Sequence, residues 1–133
     1  MSFQSKRRLL FVDVQAQNYS LAARIQENGF EVVFADPTNQ LCLSPGKYTM
    51  HVLIYDPFLG CPPYGERFRT QFLDEVLERA KRDKIPRIAY TIHPERTINE
   101  RGFVQGREYD VLISKMGDGK NILHFLKQLP SLT

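Results

Sequence analysis

The sequence predicts a doubly wound α/β domain built on a five-stranded parallel sheet, a (βα)5 arrangement. Short apolar runs alternate along the chain with segments whose apolar residues recur at helical spacing. The runs are apolar throughout, rather than at every second position, which is typical of parallel strands buried on both faces. The 133 residues suit a single domain, residues 1–133, with a core at about 8–128 and no internal repeats.

Five apolar runs are the predicted strands, at residues 9–12, 31–35, 52–55, 87–91 and 111–113. Residues 38–49 give the weakest pattern, in which Leu41 and Leu43 fit a short helix. Residues 56–65 contain three prolines and two glycines and are predicted to form a loop. The sequence therefore defines the strands more clearly than the segments that connect them.

The predicted helices follow from caps and apolar stripes. The first begins at Asn18 or Ser20, either of which can cap it, and ends at Gly29, the usual residue type for a left-handed C′ position. A short helix begins near Pro94, and Asp118 can cap the last one. The clearest helix has one apolar stripe, made of Phe68, Phe72, Leu73, Val76, Leu77 and Ala80.

Composition and charge exclude several classes of protein. The net charge is only +3, and the densest basic cluster, at residues 79–84, alternates with acidic residues as a solvated helix face does. We therefore expect no direct binding of nucleic acid. No apolar run approaches the roughly 18 residues that span a bilayer, and residues 1–8 do not begin a signal peptide. Two cysteines, Cys42 and Cys61, are too few for a disulfide framework, so we expect a cytoplasmic protein with no membrane attachment.

Polar residues close four of the predicted strands. Asp13, Asp56, Thr91 and Lys115 stand at or just after the ends of the first, third, fourth and fifth strands. Because parallel strands end at the same edge of a sheet, we expect these side chains to lie together. Asp56 suits a nucleophile for phosphoryl transfer, and Asp13 with Asp56 suits Mg²⁺. Thr91 and Lys115 suit the charge on the transferred oxygens.

Each of these residues also suits a structural role when it is considered alone. Asp56 precedes Pro57 and can open a turn, Asp13 can cap the next helix, and Lys115 can extend its ammonium to solvent. The prediction of a phosphoacceptor site therefore depends on the joint occurrence of two carboxylates, a hydroxyl and an ammonium at one sheet edge.

The order and spacing of these segments resemble the receiver domains of response regulators, the CheY-like family, over residues 8–128. The resemblance is carried by RLLFVDV at 8–14, GFEVVFA at 29–35, VLIYD at 52–56, PRIAYT at 86–91 and the segment 106–115. It implies that Asp56 is the phosphorylated aspartate, Thr91 the switch hydroxyl and Lys115 the lysine that contacts the phosphoryl group. It also implies that Asp13 is the first residue of the acidic pair that binds Mg²⁺.

Three departures make the chain an atypical member of that family. Val14 stands where the second acidic residue belongs, so we expect weak Mg²⁺ binding. Leu112 stands where the family has an aromatic residue, three positions before the lysine, so we expect only a small switching response. Met116 replaces the proline that commonly follows the lysine.

The resemblance implies a signalling module rather than an enzyme. A histidine kinase or phosphotransfer protein would phosphorylate Asp56, and a downstream protein partner would read the altered surface. The resemblance is also compatible with a homodimer. No output domain follows the last predicted helix, so we expect a stand-alone receiver or an isolated piece of a longer protein.

Two alternative functions stay open. Val14 and Leu112 favour a pseudo-receiver, an interaction module that works without phosphorylation. A small flavodoxin-like enzyme or flavin carrier is the other alternative, although residues 15–20 lack the glycines of a nucleotide-binding loop. Cys61 has no evident activating partner, and His93 has no second His or Cys at ligand spacing, so we expect neither a redox nor a zinc site.

Overall fold

The computed structural model describes residues 7–13, 18–35, 49–58, 73–117 and 119–129. These residues include five strands whose neighbouring pairs are all parallel. The spatial order is β2-β1-β3-β4-β5. The strands are β1 (Arg7–Val12), β2 (Phe30–Ala35), β3 (Val52–Tyr55), β4 (Arg87–Thr91) and β5 (Val111–Ser114). The predicted doubly wound, five-stranded parallel sheet is therefore confirmed.

Four helices connect or follow these strands in the described ranges. They are α1 (Tyr19–Glu27), α2 (Asp74–Arg82), α3 (Glu95–Glu100) and α4 (Lys120–Lys127). None of the helices in those ranges is long and apolar enough to cross a membrane.

The helix ends agree in part with the predicted caps. Asn18 precedes α1 but makes no side-chain capping hydrogen bond. Gly29 follows α1 with a φ of +93°, the left-handed conformation that favours glycine. Pro94 immediately precedes α3. The predicted cap Asp118, the stripe residues Phe68 and Phe72, and the predicted short helix at Leu41 and Leu43 lie outside the described residues.

Both faces of the sheet are buried, as the apolar strands predict. Alternate strand residues point to opposite faces, so that Leu10 and Leu53 pack on one side while Leu9 and Ile54 pack on the other. The first face is covered by residues of α2 and α3, including Val76, Leu77, Ala80 and Ile98. The second is covered by residues of α1 and α4, including Leu21, Ala22, Ile25, Ile122 and Leu126.

The segment between α3 and β5 is tied to the sheet through Glu108. The backbone carbonyl of Glu108 accepts a hydrogen bond of 2.8 Å from the buried Tyr55 hydroxyl. The Glu108 carboxylate contacts Lys81 on α2 at 3.1 Å, and both of its oxygens lie 2.7 Å from Nε of Arg107 and share the hydrogen that this nitrogen donates. Burial opposes ionisation of this carboxyl, but hydrogen bonds from Arg107, the Val104 amide and Lys81 outweigh it and lower the pKa of Glu108. These contacts fix the segment that leads into β5.

Candidate functional site

The candidate site lies where the strand order reverses, between β1 and β3. In open parallel sheets this is the point at which ligands and chemistry gather, outside the carboxyl ends of the strands. Val12 pairs with Tyr55, and the Asp56 amide donates a hydrogen bond of 3.3 Å to the Val12 carbonyl. Asp13 and Asp56 therefore follow neighbouring strands at the same edge of the sheet.

Lys115 reaches this edge from β5. Its backbone amide donates a hydrogen bond of 3.0 Å to the Thr91 carbonyl, which continues the β4–β5 register beyond the last strand residue. Its Nζ lies 2.7 Å from Oδ2 of Asp13 and 2.7 Å from Oδ2 of Asp56. One ammonium thus contacts both carboxylates, and the structure brings together the three charged residues that were predicted to meet. Their chemical roles stay predictions.

The three charged groups are largely shielded from water. The side chains of Asp13, Asp56 and Lys115 are only 3%, 14% and 18% exposed. Burial by itself lowers the pKa of Lys115, but the two carboxylates beside the ammonium outweigh that effect. The pKa of Lys115 therefore lies above its ordinary value, and the lysine is charged at neutral pH.

Thr91 is fully buried at the same edge. Its Oγ1 accepts a hydrogen bond of 3.3 Å from the His93 amide. No hydrogen bond among the described residues joins this hydroxyl to Asp56. The structure therefore places Thr91 at the expected strand end, with its hydroxyl engaged by the β4–α3 loop.

The Asp56 carboxylate is held on its other side by the chain that follows it. Its Oδ1 accepts a hydrogen bond of 2.9 Å from the Phe58 amide, two residues later. The Phe58 ring then stacks on the His93 ring, with centroids 3.8 Å apart and an interplanar angle of 30°. The two oxygens of Asp56 thus have separate partners, Lys115 at Oδ2 and the Phe58 amide at Oδ1.

Tyr90 is a neighbour of the site that the sequence analysis missed. Its ring centroid lies 5.6 Å from the Lys115 Nζ, within the range of a cation–π contact. Burial raises the pKa of Tyr90 and Asp13 adds to this, while Lys115 acts in the opposite sense. Tyr90 follows Ile88 and Ala89, and an aromatic residue after such an apolar run is expected in the core. Its position one residue before the strand end was the available signal.

Two residues of the site carry oxygen atoms of the kind that bind Mg²⁺. Asp13 and Asp56 supply the oxygen ligands that Mg²⁺ prefers, and Mg²⁺ commonly uses one or two carboxylates and keeps several waters. Within the described ranges, no group of three or more His, Cys, Asp or Glu side chains is placed to hold a metal ion. Val14, the position of the missing acidic residue, lies outside those ranges.

Two of the three departures from the family pattern fall in described segments. Leu112 is partly buried and packs against the core on the face covered by α2 and α3. Met116 is 81% exposed, and its amide donates a hydrogen bond of 3.0 Å to Ser114 Oγ. The β5 strand therefore presents an aliphatic side chain, not a ring, at the position three before Lys115.

No protein-family model and no curated protein sequence matches the chain. Solved structures do match it. The non-phosphorylated HemR receiver domain from Leptospira biflexa has a TM-score of 0.68 and 22% identity, covering 96% of this chain and 97% of that one. The chemotaxis protein CheY4 of Vibrio cholerae has a TM-score of 0.68 and 19% identity, covering 95% of this chain and 100% of that one.

A third match is the signal receiver domain of an HD domain-containing protein from Pseudomonas fluorescens. Its TM-score is 0.62 at 20% identity, and the match covers 96% of this chain and 89% of that one. Each of these matches extends over most of this chain and of the matched chain, and the sequence identities are low. The chain therefore has the fold of the CheY-like receiver domains of response regulators.

Proposed function

We propose that this domain is a receiver of two-component signalling, which accepts a phosphoryl group on Asp56 and signals by protein–protein interaction. The observation that carries the proposal is the Lys115 ammonium, 2.7 Å from a carboxylate oxygen of both Asp13 and Asp56 at the carboxyl edge of the sheet. This arrangement sets a candidate nucleophile beside a fixed positive charge. The receiver fold supports the same function.

In the proposed reaction, an oxygen of Asp56 attacks the phosphorus of a phosphohistidine on a histidine kinase or phosphotransfer protein. The new P–O bond forms as the P–N bond breaks, and the imidazole nitrogen leaves with the electron pair. Lys115 would then pair with the transferred oxygens, and the Thr91 hydroxyl would turn towards them. The domain would act as a signalling module rather than an enzyme, and a downstream protein or a second copy would read its surface.

We further propose that Asp13 and Asp56 hold Mg²⁺ weakly during this transfer. The ion, when bound, supplies positive charge to the phosphoryl oxygens. Titration calorimetry of wild type and Val14→Asp with MgCl₂ tests the proposal. A new carboxylate beside Asp13 should tighten binding about tenfold or more. Equal affinities would show that another group already supplies the missing ligand.

Intact-mass analysis tests phosphorylation directly. The wild-type protein is incubated with acetyl phosphate and MgCl₂, and we expect it to gain the mass of one phosphoryl group. Asp56→Asn should gain none, because it lacks the nucleophilic oxygen, whereas Asp83→Asn, an exposed aspartate at the end of α2, should behave as wild type. An unmodified wild type, or modification that persists in Asp56→Asn, would refute the proposal.

The pseudo-receiver is the second candidate function, and one observation favours it. Leu112 offers no ring to report a change at the site. In this case the domain would bind its partner equally well with and without a functional Asp56. A pull-down of a partner by wild type and by Asp56→Asn separates the two functions.

A further inference from the structure

A set of stacked side chains lies between the candidate phosphoacceptor and helix α3. The Phe58 ring contacts two residues that flank this helix. His93, two positions before α3, stacks on the ring at 3.8 Å, and the Arg101 guanidinium, directly after α3, lies 4.6 Å from the ring centroid. Stacked rings attract each other, and so do a cation and the face of an aromatic ring. One side chain therefore holds both ends of a six-residue helix.

Both rings of this set are linked to the candidate site through their own backbone amides. The Phe58 amide donates to Asp56 Oδ1 at 2.9 Å, and the His93 amide donates to Thr91 Oγ1 at 3.3 Å. A change in charge or in bonding at Asp56 therefore acts first on the amide of the residue whose ring contacts α3. The path from Asp56 Oδ1 to Arg101 has two steps, a hydrogen bond and a ring contact.

Helix α3 is short and has little buried surface. It has six residues, and Ile98 is the one that is buried. A helix of this length is marginal by itself, so its placement depends on contacts with the rest of the fold. Leu112 on β5 packs into the core and has no ring that could move. The Phe58 ring contacts residues that flank both ends of α3.

We propose that Phe58 is a positioning residue that couples the state of Asp56 to the placement of α3, through its stacking on His93 and its contact with Arg101. The signalling use of this coupling rests on the function proposed above, but the coupling itself does not. A change at Asp56 that strengthens or weakens its hydrogen bond with the Phe58 amide, whether by phosphorylation or by loss of the charge on substitution, shifts that amide and with it the ring. The surface that changes is α3 and its flanking residues.

The first experiment measures this coupling without phosphorylation. Backbone amide chemical shifts of residues 95–101 are compared between wild type and Asp56→Asn, and again between Phe58→Leu and Phe58→Leu/Asp56→Asn. With the ring present, we expect Asp56→Asn to shift these amides. In the Phe58→Leu background, the amide shifts that Asp56→Asn produces should be at most about one third as large. Phe58→Tyr keeps the ring and should restore the wild-type response.

A matched control excludes a general loss of packing. Phe125 on α4 is also partly buried, but it packs on the opposite face of the sheet from Phe58. In the Phe125→Leu background, Asp56→Asn should still shift residues 95–101 as it does in wild type. An undiminished response in Phe58→Leu, or an equal loss in Phe125→Leu, would overturn the proposal.

The second experiment adds beryllium fluoride and MgCl₂ as a phosphoryl mimic and follows the same amides. We expect wild type and Phe58→Leu both to show shifts at Asp13, Asp56 and Lys115, while only wild type shows them in residues 95–101. If the mimic shifts no residue of wild type, the phosphoacceptor function fails, and the Asp56→Asn comparison still decides the coupling. If the mimic shifts residues 95–101 equally in both proteins, the coupling through Phe58 is wrong and the phosphoacceptor function stands.

Discussion

Replacing Lys115 by methionine should destabilise the fold strongly, because it leaves two buried carboxylates facing each other without a counter-charge. The two Oδ2 atoms both lie 2.7 Å from the same Nζ, so they are at most about 5.4 Å apart. At an effective dielectric constant of about 20, two like charges at that distance repel by about 3 kcal/mol. Removing one partner of a buried ion pair typically costs about 3–5 kcal/mol.

Partial access of water reduces this cost. The side chains of Asp56 and Lys115 are 14% and 18% exposed, so water or a counter-ion can approach the unpaired carboxylates. The methionine also buries apolar surface in place of the lysine stem. We therefore expect Lys115→Met to lower the free energy of unfolding by about 2–4 kcal/mol at pH 7. Lys115→Met/Asp13→Asn, with one negative charge fewer, should recover a large part of this loss.

Urea unfolding followed by circular dichroism measures the effect, with Lys127→Met as the control. Lys127 is exposed on α4, and its substitution should change the free energy of unfolding by about 0.5 kcal/mol or less. A Lys115→Met protein within about 0.5 kcal/mol of wild type would refute the reasoning, because it would mean that the contacts with both carboxylates contribute nothing net.

The pH dependence provides a second check. The pKa of Lys115 is raised in the folded protein, since the two carboxylates outweigh the effect of burial. The charged Lys115 therefore contributes its full stabilisation at pH values below its pKa in the unfolded protein, which is near 10.5. This stabilisation is lost as the pH rises through its pKa in the folded protein. The difference between wild type and Lys115→Met should therefore be constant from about pH 7 to pH 9 and shrink above about pH 10.5.

Three further substitutions test the packing around the site. Tyr55→Phe removes the buried hydrogen bond to the Glu108 carbonyl and should cost about 1–2 kcal/mol in urea unfolding, with no change in m-value. Glu108→Gln should cost about 1–2 kcal/mol at pH 7. The pKa of Glu108 is lowered in the folded protein, so its carboxylate stabilises the fold at pH values above its pKa in the unfolded protein, which is near 4.5. The difference in free energy of unfolding between wild type and Glu108→Gln should therefore shrink below that pH. Lys84→Gly should raise the thermal midpoint, because Lys84 has a φ of 55° and this left-handed conformation costs a residue with a Cβ about 1–2 kcal/mol, which the larger entropy loss of glycine offsets only in part; an unchanged midpoint would contradict this.

The sheet and the charged part of the site could be predicted because both follow from local sequence. Each strand is a short apolar run, and a polar residue at the end of such a run has to emerge at the carboxyl edge. The prediction that Asp56 and Lys115 meet, 59 residues apart in the chain, needed only the parallel topology. It did not require knowledge of any side-chain conformation.

The aromatic part of the site could not be predicted in the same way. Phe58 and His93 both lie beyond strand ends, in loops whose backbone direction no periodic pattern fixes. Their contact depends on the two amides that turn back onto the Asp56 carboxylate and the Thr91 hydroxyl. The one sequence signal is that each ring follows its polar residue by two positions. That signal has meaning only when the two strands are known to be neighbours.

The contacts of Lys115 also connect the expected weak magnesium binding to the stability of the resting fold. An ion that binds Asp13 and Asp56 must compete with the ammonium that lies 2.7 Å from both carboxylates. With valine at position 14, the two aspartates and Lys115 carry a single net negative charge. A third carboxylate at position 14 would add a second net negative charge, so more charge would be left to bind the ion. The same ion pairs that stabilise the fold thus oppose metal binding, since stability and binding depend on the same three charged groups.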